Sequence, residues 1–328
     1  MTGGAGFIGS NFVRFLLRER PNVEVINLDV LSYAGNQENL VEVIDDPRHT
    51  FIHGDICDTG LVTNVIEHVD IVFNLAAETH VDRSISSDTH FVRTNVTGAA
   101  TLLGAALNSG VQRFIQVSTD EVYGELPWVS PENHDSCQTP RFTEETPVAP
   151  RSPYSATKAA ADHLTLAYHV THGLDAVVTR CSNNYGPNQH PEKLIPLMIS
   201  HALQHQPLPV YGDGLYVRDW IHVEDHCRGL LAAAERGVAG RVYNFGGDAE
   251  RTNLSVIEDI LEILDRPRDL IEHVQDRPGH DRRYGIDFSR AQLELGWKPS
   301  AKFFDGLRET VDWYVTNQEW WKNSDSSS

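Results

Sequence analysis

The stretch T-G-G-A-G-F-I-G at residues 2–9 places glycines at positions 3, 6 and 9, directly before a segment of helical apolar spacing. Gly3 permits a tight turn, Gly6 lets the backbone come close to a pyrophosphate, and Gly9 allows a helix to pack closely on a sheet. The free N–H groups at the start of such a helix attract phosphate. Similar glycine turns also occur without a ligand. The sequence around the turn therefore has to decide between a dinucleotide-binding turn and a turn that only shapes the chain.

The apolar pattern after the turn alternates between helix and strand. Short β-branched or apolar runs predict strands over residues 23–30, 50–56, 71–75, 114–118 and 176–180. Helical spacing predicts helices over 7–20, 39–44, 61–68, 95–107 and 154–172. This alternation indicates an α/β protein with a Rossmann-type doubly wound parallel sheet.

The alternation fails after residue 186, and 328 residues exceed what one compact core usually holds. We therefore predict a dinucleotide-binding domain over 1–186, to which 221–247 return as a helix and a strand. A smaller mixed α/β lobe is expected from 187–220 and 248–322, and the polar end 323–328 is expected to be frayed.

The glycine turn begins at residue 2, although a Rossmann fold has a buried apolar strand before it. We hypothesise that this strand lies upstream of Met1. A GTG codon for valine, the natural last residue of such a strand, can be read as a start codon and would then appear as Met1.

The composition excludes several classes of function. The formal net charge is −19, and an exterior this acidic repels a nucleic acid backbone. No apolar run approaches the ~20 residues of a membrane span. The four cysteines lack zinc spacing, and the histidine pair His201 and His205 lacks a third ligand, so we expect no metal. These features predict a cytoplasmic protein.

Two aspartates follow predicted strands at positions where a dinucleotide would lie. Asp29 comes about 20 residues after Gly9, where a carboxylate can bond both ribose hydroxyls and repels a 2′-phosphate. It therefore favours NAD over NADP. Asp55 ends the next strand, where it either meets the adenine amino group or serves as a turn residue, and the sequence favours neither.

Four further residues predict the chemistry. Tyr154 and Lys158 lie one helical turn apart on one face of a predicted helix. The lysine ammonium beside the tyrosine phenol favours the phenolate form. The phenolate can then take a proton from a substrate hydroxyl while hydride leaves. Asp120 and Glu121 follow a buried strand, at the sheet edge that faces the ligand crevice. Because hydride transfer alone does not need this acidic pair, the pair implies additional acid–base chemistry.

Several strings resemble the extended short-chain dehydrogenase/reductase family and, within it, the family of dTDP-glucose 4,6-dehydratases. They are T-G-G-A-G-F-I-G-S-N-F at 2–12, S-Y-A-G-N at 32–36, N-L-A-A-E-T-H-V-D-R-S-I at 74–85, S-T-D-E-V-Y-G at 118–124, S-P-Y-S-A-T-K at 152–158, N-N-Y-G-P-N-Q-H-P-E-K-L-I-P at 183–196, V-Y-G-D-G at 210–214, R-D-W-I-H-V-E-D-H at 218–226 and R-P-G-H-D-R-R-Y at 277–284. Val30 and Thr79 depart from the lysine and serine that are usual in the family.

The resemblance implies a three-stage reaction on dTDP-glucose. Tyr154 would deprotonate the C4 hydroxyl while NAD takes the hydride, with Thr119 steadying the same oxygen. Glu121 would remove the C5 proton, and Asp120 would protonate the departing C6 hydroxyl. The hydride would then return to C6 and C5 would be reprotonated, so the cofactor ends as it began.

The resemblance also implies the binding residues. The cofactor would contact Gly3, Gly6, Phe7, Ile8, Gly9, Asp29, Asp55, Ile56, Ala76, Ala77, Thr94, Tyr154 and Lys158. The substrate would contact Ser84, Asn183, Lys193, Leu194, Pro196, Tyr211, Arg218, Asn253, Arg283 and Tyr284. Arg218 is the principal phosphate candidate because a guanidinium matches phosphate at two points; its alternative is a salt bridge with Asp219 or Asp225.

Three alternatives stay open from the sequence: a UDP-glucose 4,6-dehydratase, a nucleotide-sugar C4 epimerase, and a non-catalytic NAD-binding scaffold. The family further implies a homodimer, formed through the helices that contain Asn95 and Tyr154.

Overall fold

Strands and helices alternate from the glycine turn to residue 181, as the apolar pattern predicts. The structure, a computed structural model, describes residues 1–129, 139–276 and 280–325. The strands are β1 Val25–Asp29, β2 His49–His53, β3 Ile71–Asn74, β4 Arg113–Thr119, β5 Ala176–Cys181, β6 Asn183–Tyr185, β7 Leu208–Tyr211, β8 Val217–His222, β9 Val242–Phe245, β10 Glu250–Thr252 and β11 Ile271–Val274.

Helices connect these strands and form the C-terminal end of the described chain. They are α1 Phe7–Glu19, α2 Thr59–Ile66, α3 Val81–Ser86, α4 Thr89–Phe91, α5 Ala99–Ser109, α6 Pro153–His172, α7 Leu194–Leu203, α8 Val223–Arg236, α9 Asn253–Ile263, α10 Ser289–Leu295, α11 Phe303–Thr316 and α12 Gln318–Asp325. In the described ranges, 3₁₀ segments cover Gln37–Leu40, Asp120–Tyr123 and Arg268–Leu270, and a π-helical segment covers Val92–Gly98.

The central sheet is parallel and has two halves. In one half β1 pairs with β2, and in the other the order is β3, β4, β5 and β9. Thr2 joins the halves, since it forms parallel bridges to both Leu28 and Asn74. The glycine turn thus leaves the sheet from its middle, and helices flank the sheet. The predicted doubly wound α/β fold is confirmed.

The two faces of the sheet are covered by different helices. Phe12 of α1 and Leu230 of α8 pack in the core on one face, and Leu102 of α5 packs with Val62 of α2 on the other. A separate core formed by α7, α9 and α11 lies in the C-terminal part. Two small sheets accompany it, one of order β10, β8, β6 and one of β11 with β7. The boundaries predicted for two lobes remain predictions.

Several elements differ from their predicted bounds. The helix expected from residue 221 begins at Val223, because Val217–His222 forms strand β8. This strand is buried on both faces despite Arg218 and Asp219, and these charges hide its apolar pattern. Residues 323–325, part of the tail expected to be frayed, lie in α12, and 326–328 lie outside the described residues. Within the described ranges, no helix is both long and apolar enough to cross a bilayer.

A buried ion pair fixes helix α6 against the sheet. Nε of Arg180 on β5 donates to Oδ2 of Asp162 on α6 over 2.9 Å, and the side chains are 3% and 0% exposed. The Arg180 guanidinium also lies over the ring of Tyr123, 4.7 Å from its centroid. A buried pair of this kind contributes little net stability over an apolar pair, but losing one partner leaves an uncompensated charge.

We expect Arg180→Met to lower the free energy of unfolding by about 3–5 kcal/mol, because Asp162 would stay buried without its partner. Chemical denaturation monitored by circular dichroism measures the change. The double variant Arg180→Met/Asp162→Leu should recover most of the loss. Arg18→Ala is the matched control: it breaks the exposed Arg18–Glu224 pair and should cost no more than about 1 kcal/mol. Equal losses for Arg180→Met and Arg18→Ala would contradict the prediction.

Candidate active site

At the start of α1, the backbone of the glycine turn lies close to the backbone of Ala76 and to the first turn of the helix. Gly3 has a φ of 71°, and a Cβ atom there would lie 2.6 Å from the backbone nitrogen of Ala76. A Cβ atom on Gly9 would lie 2.1 Å from the carbonyl oxygen of Gly3. Gly6 precedes the helix and offers no side-chain cap, so the first N–H groups of α1 have no cap partner at the wall of a cavity. A diphosphate fits this helix start.

The cavity has a volume of about 430 Å³ and lies at the carboxyl ends of the central strands. Most of the predicted site residues line it together. They are Gly3, Gly6, Phe7, Ile8, Gly9, Asp29, Asp55, Ile56, Ala76, Ala77, Thr94, Thr119, Glu121, Tyr154, Lys158, Asn183 and Lys193.

The two aspartates predicted for the adenosine side both line this cavity. Oδ2 of Asp29 accepts the N–H of Ala5 and Oδ1 accepts the N–H of Leu31, each over 2.8 Å. The carboxylate is thereby held rigidly at the end of β1. Asp55 accepts the N–H of Cys57 over 2.8 Å, which is a turn contact, and pairs with Arg93 over 2.7 Å. Asp55 therefore both shapes a turn and presents a carboxylate at the cavity wall.

The acidic pair begins where β4 ends and a 3₁₀ turn starts. Oγ1 of Thr119 accepts the N–H of Glu121 over 3.3 Å, which caps that turn, and lies 3.4 Å from Oδ1 of Asp120. Asp120 is 2% exposed, and within the described residues its Oδ2 has no hydrogen-bond partner. Burial raises the pKa of Asp120 well above its ordinary value, and the charges of Glu121 and Asp219 add to this effect. Asp120 is therefore the carboxyl group that keeps its proton.

The start of α6 is fixed by its cap. Ser152 accepts the N–H of Ser155, whose hydroxyl in turn accepts the N–H of Ser152, and Pro153 occupies the first turn. This cap places Tyr154 at the cavity. Lys158, one turn on, donates from Nζ to the carbonyl oxygen of Val117 over 2.6 Å.

The electrostatics of this pair differ from the sequence expectation. We expected Lys158 to lower the pKa of Tyr154. Instead, burial raises the pKa of Tyr154 well above its ordinary value, and the charge of Glu121 raises it further. Burial also lowers the pKa of Lys158. Desolvation disfavours the charged form of each group, and it is the largest cause of both shifts.

The remaining predicted residues do not line the cavity. They are Asp120, Ser84, Leu194, Pro196, Tyr211, Arg218, Asn253, Arg283 and Tyr284. Ser84 is buried, and its hydroxyl donates to the carbonyl oxygen of Val81 within α3. Thr79, from the same sequence string, lines the cavity instead, with its Oγ1 3.3 Å from the hydroxyl of Tyr33.

Arg218 and Tyr284 form a stacked pair. The Arg218 guanidinium lies over the Tyr284 ring, 4.3 Å from its centroid, and donates to the carbonyl oxygens of Val217 and Asp281. The structure shows no salt bridge from Arg218 to Asp219 or Asp225 within the described residues, which was the alternative interpretation. The charge of Arg218 reaches Asp120 and opposes the rise in its pKa. The Arg218 guanidinium is thus coupled electrostatically to Asp120.

The Arg283 side chain does not line the cavity. It is 0% exposed, and its guanidinium donates to both carboxylate oxygens of Glu250, over 2.8 and 3.0 Å, and to the carbonyl oxygen of Pro140. These contacts commit Arg283 to joining three segments of the chain. The diphosphate contact of Arg283 remains a prediction.

The other predicted substrate residues lie on the C-terminal part. Leu194 and Pro196 are in the first turn of α7, and Tyr211 ends β7 with its ring half-exposed. Asn253 begins α9, and its buried Oδ1 has no hydrogen-bond partner in the described part of the chain. Residues 277–279, which begin the string R-P-G-H-D-R-R-Y, lie outside the described residues.

Some cavity residues were not predicted individually. Arg93 reaches the cavity from the π-helical segment, and His190 and Glu192 reach it from the loop before α7. The loop residues belong to the quoted string at 183–196, so that string marked the region. Which of its side chains face the cavity depends on the loop conformation. A loop has no regular spacing in its sequence from which the orientation of its side chains could be predicted. In the described residues, no three His, Cys, Asp or Glu side chains form a group that could hold a metal.

Comparisons with known proteins agree with this geometry. The sequence profile described as GDP-mannose 4,6 dehydratase matches residues 1–310. A dTDP-glucose 4,6-dehydratase of an Actinoplanes species is 50% identical over 326 residues, 98% of each chain. The low-salt glycan biosynthesis protein Agl12 of Haloferax volcanii is 50% identical over 319 residues, 97% of this chain and 99% of its own.

A solved structure matches equally well. The dTDP-glucose 4,6-dehydratase DesIV of Streptomyces venezuelae, determined with NAD bound, superimposes with a TM-score of 0.93 at 48% identity and covers 98% of each chain. Identities at this level over nearly the full length share a fold and a family, and the resemblance of the sequence strings is confirmed. The chain therefore belongs to the GDP-mannose 4,6-dehydratase family and, within it, groups with the dTDP-glucose 4,6-dehydratases.

Proposed function

We propose that this protein converts dTDP-glucose into dTDP-4-keto-6-deoxyglucose and water, with NAD as a cofactor that is regenerated in each turnover. The observation that carries the proposal is the position of Thr119, Asp120 and Glu121 at the end of β4, beside Tyr154 on α6. An enzyme that only transfers hydride does not need two carboxyl groups there. The curated relatives with this activity support the choice of substrate.

The cavity residues fit NAD. The helix start at Gly6 accepts the diphosphate, and the Asp29 oxygens keep lone pairs for ribose hydroxyls beyond the two N–H groups that they already accept. When bound, NAD supplies the acceptor for the C4 hydride and later the donor to C6. The NAD-bound relative supports this assignment.

Tyr154 takes the proton of the C4 hydroxyl. Because burial raises its pKa, the phenol needs a positive charge nearby to become a base, and the Lys158 ammonium one turn away provides it. Thr119 offers a hydroxyl to the same substrate oxygen from the end of β4. Once C4 is a ketone, the C5 proton becomes acidic.

The two carboxyl groups then share the elimination. Asp120 is buried and keeps its proton, so it is suited to protonate the C6 hydroxyl as it leaves. Glu121 lines the cavity and takes the C5 proton, and C5 is protonated again when the hydride is added to C6. A proton donor and a proton acceptor on adjacent residues can thus work on adjacent carbons.

The nucleotide diphosphate is assigned to residues of the C-terminal part. Arg218 provides a guanidinium that is coupled electrostatically to Asp120, and Lys193 provides an ammonium at the cavity wall. The buried amide oxygen of Asn253 has no hydrogen-bond partner in the described residues. It could accept a hydrogen bond from a ligand. The other proposed contacts are Asn183, Leu194, Pro196, Tyr211, Arg283 and Tyr284 for the nucleotide diphosphate, and Ser84 with Thr79 for the sugar.

A panel of nucleotide sugars tests the function. With dTDP-, UDP-, CDP- and GDP-hexoses, we expect the alkali-induced absorbance of a 4-keto-6-deoxy sugar to appear fastest with dTDP-glucose. The thymine methyl group alone should give about 10–200-fold preference over uracil in an apolar pocket, and UDP-glucose differs further by its ribose 2′-hydroxyl. Tyr154→Phe should lower kcat by about 10²–10⁴-fold and serves as the negative control. A protein that gives no signal with any donor is not a 4,6-dehydratase.

Asp120→Asn separates elimination from oxidation. Loss of the proton donor should slow water release by about 10²–10⁴-fold, while oxidation at C4 persists. Rapid-quench analysis of the sugar measures the two steps, with the 4-keto hexose expected to accumulate. Asp175→Asn, which removes a carboxylate at the opposite end of β5, is the control and should not alter either step. An unchanged overall rate in Asp120→Asn would instead favour a C4 epimerase.

We further propose that the protein is a cytoplasmic homodimer formed through the helices that contain Asn95 and Tyr154. Val92 and Val170, on the π-helical segment and on α6, are exposed apolar side chains that a second copy would cover. The described cysteines are unpaired thiols, which suits a reducing compartment. Light scattering on the purified protein should give twice the chain mass, and Val170→Glu should shift it toward the monomer.

A further inference from the structure

The Tyr154–Lys158 pattern continues one turn further along α6. Asp162 follows Lys158 by the same spacing, so the three side chains lie on one helical face. Asp162 is 0% exposed and Lys158 is 4% exposed. The proposed mechanism uses the first two side chains and gives no role to the third.

Asp162 is held by one oxygen and leaves the other without a partner. Arg180 binds Oδ2 from the adjacent strand, while Oδ1 is buried and has no hydrogen-bond partner among the described residues. Lys158 donates to the neutral carbonyl oxygen of Val117. A buried ammonium bonded to a neutral group loses its hydration without gaining a countercharge from that contact, so its charged form depends on nearby anions.

The charges around Lys158 come from three elements. Asp162 lies on its own helix, Arg180 and Cys181 lie on β5, and the acidic pair lies after β4. Burial raises the pKa of Cys181 to about 12, so its thiol stays neutral at ordinary pH. The charges of Asp120 and Glu121 raise the pKa of Tyr154, whereas the charge of Asp162 raises the pKa of Lys158. Burial raises the pKa of Asp162, but the charges of Arg180 and Lys158 oppose this rise and favour its carboxylate. Asp162 is thus the anion that supports the ammonium.

We infer that Asp162 is a positioning residue for the proposed reaction: its carboxylate, fixed by Arg180, keeps the buried Lys158 ammonium protonated so that Tyr154 can act as the base. The inference rests on the proposed function and adds a residue to its machinery. The helix supplies the distance, because side chains at this spacing are neighbours on a helix surface. Arg180 supplies the orientation, because its bond to Oδ2 fixes the carboxylate against β5.

The pH profile of kcat tests the inference. In Asp162→Asn the negative charge is lost, so Lys158 should release its proton at lower pH. We expect the basic limb of the profile to move down by about one pH unit. The acid limb should stay in place, because Asp162 is not among the groups that raise the pKa of Tyr154. A merely structural role would lower kcat at every pH without moving a limb.

Three further variants complete the experiment. Asp162→Glu keeps the charge and should keep the basic limb near its wild-type position. The double variant Asp162→Asn/Arg180→Gln removes both charges and so leaves no unpaired guanidinium. It should still move the basic limb to lower pH. It keeps the inference testable if Asp162→Asn alone does not fold. Asp175→Asn removes a half-exposed carboxylate paired with Arg113 and should leave the profile unchanged.

The outcomes separate the two proposals. An inactive wild type on dTDP-glucose contradicts the proposed function. An active wild type whose basic limb stays fixed in the folded Asp162 variants overturns the role of Asp162 and leaves the function intact. A limb that moves equally in Asp162→Glu and in Asp162→Asn also overturns it, because charge would then not be the cause.

Discussion

The contact of helix α6 with strands β4 and β5 is the constraint on which the site depends. Arg180 and Asp162 join the helix to β5, and the Lys158 ammonium bonds to a backbone carbonyl of β4. Ser152 and Ser155 fix where the helix begins. With both its start and its middle held, the helix brings Tyr154 to the edge of the sheet where β4 delivers the acidic pair.

Burial at this edge shapes the chemistry. Asp120, Tyr154 and Lys158 are buried, and burial pushes each of them toward its neutral form. For Asp120 this is useful, since a general acid must carry a proton. For Tyr154 and Lys158 it is a cost that nearby charges have to offset. The same burial therefore keeps the acid protonated and makes the base depend on its electrostatic partners.

The cofactor side relies on close backbone packing more than on charge. The absence of side chains at Gly3 and Gly9 lets the turn approach Ala76 and pack on itself, and Asp29 is tied to that turn through the N–H of Ala5. The turn and the carboxylate thus form one rigid unit at the middle of the sheet. A rigid unit suits a cofactor that has to stay bound while the hydride leaves and returns.

The sequence by itself determined the fold class and the glycine turn, and it predicted Asp29, Asp120, Glu121, Tyr154 and Lys158 as site residues. These follow from local rules: strand and helix periods, glycine spacing, and the fact that parallel strands end at one edge. It also marked the loop at 183–196 without saying which of its side chains turn inward.

Only the tertiary structure decided the rest. It separated Thr79, at the cavity, from Ser84, inside its own helix, and it committed Arg283 to Glu250. It also reversed the expected direction of the Tyr154 pKa and gave Asp162 its place beside Lys158. Each of these depends on burial and on contacts between segments far apart in the chain, and the sequence specifies such contacts only through the folded whole.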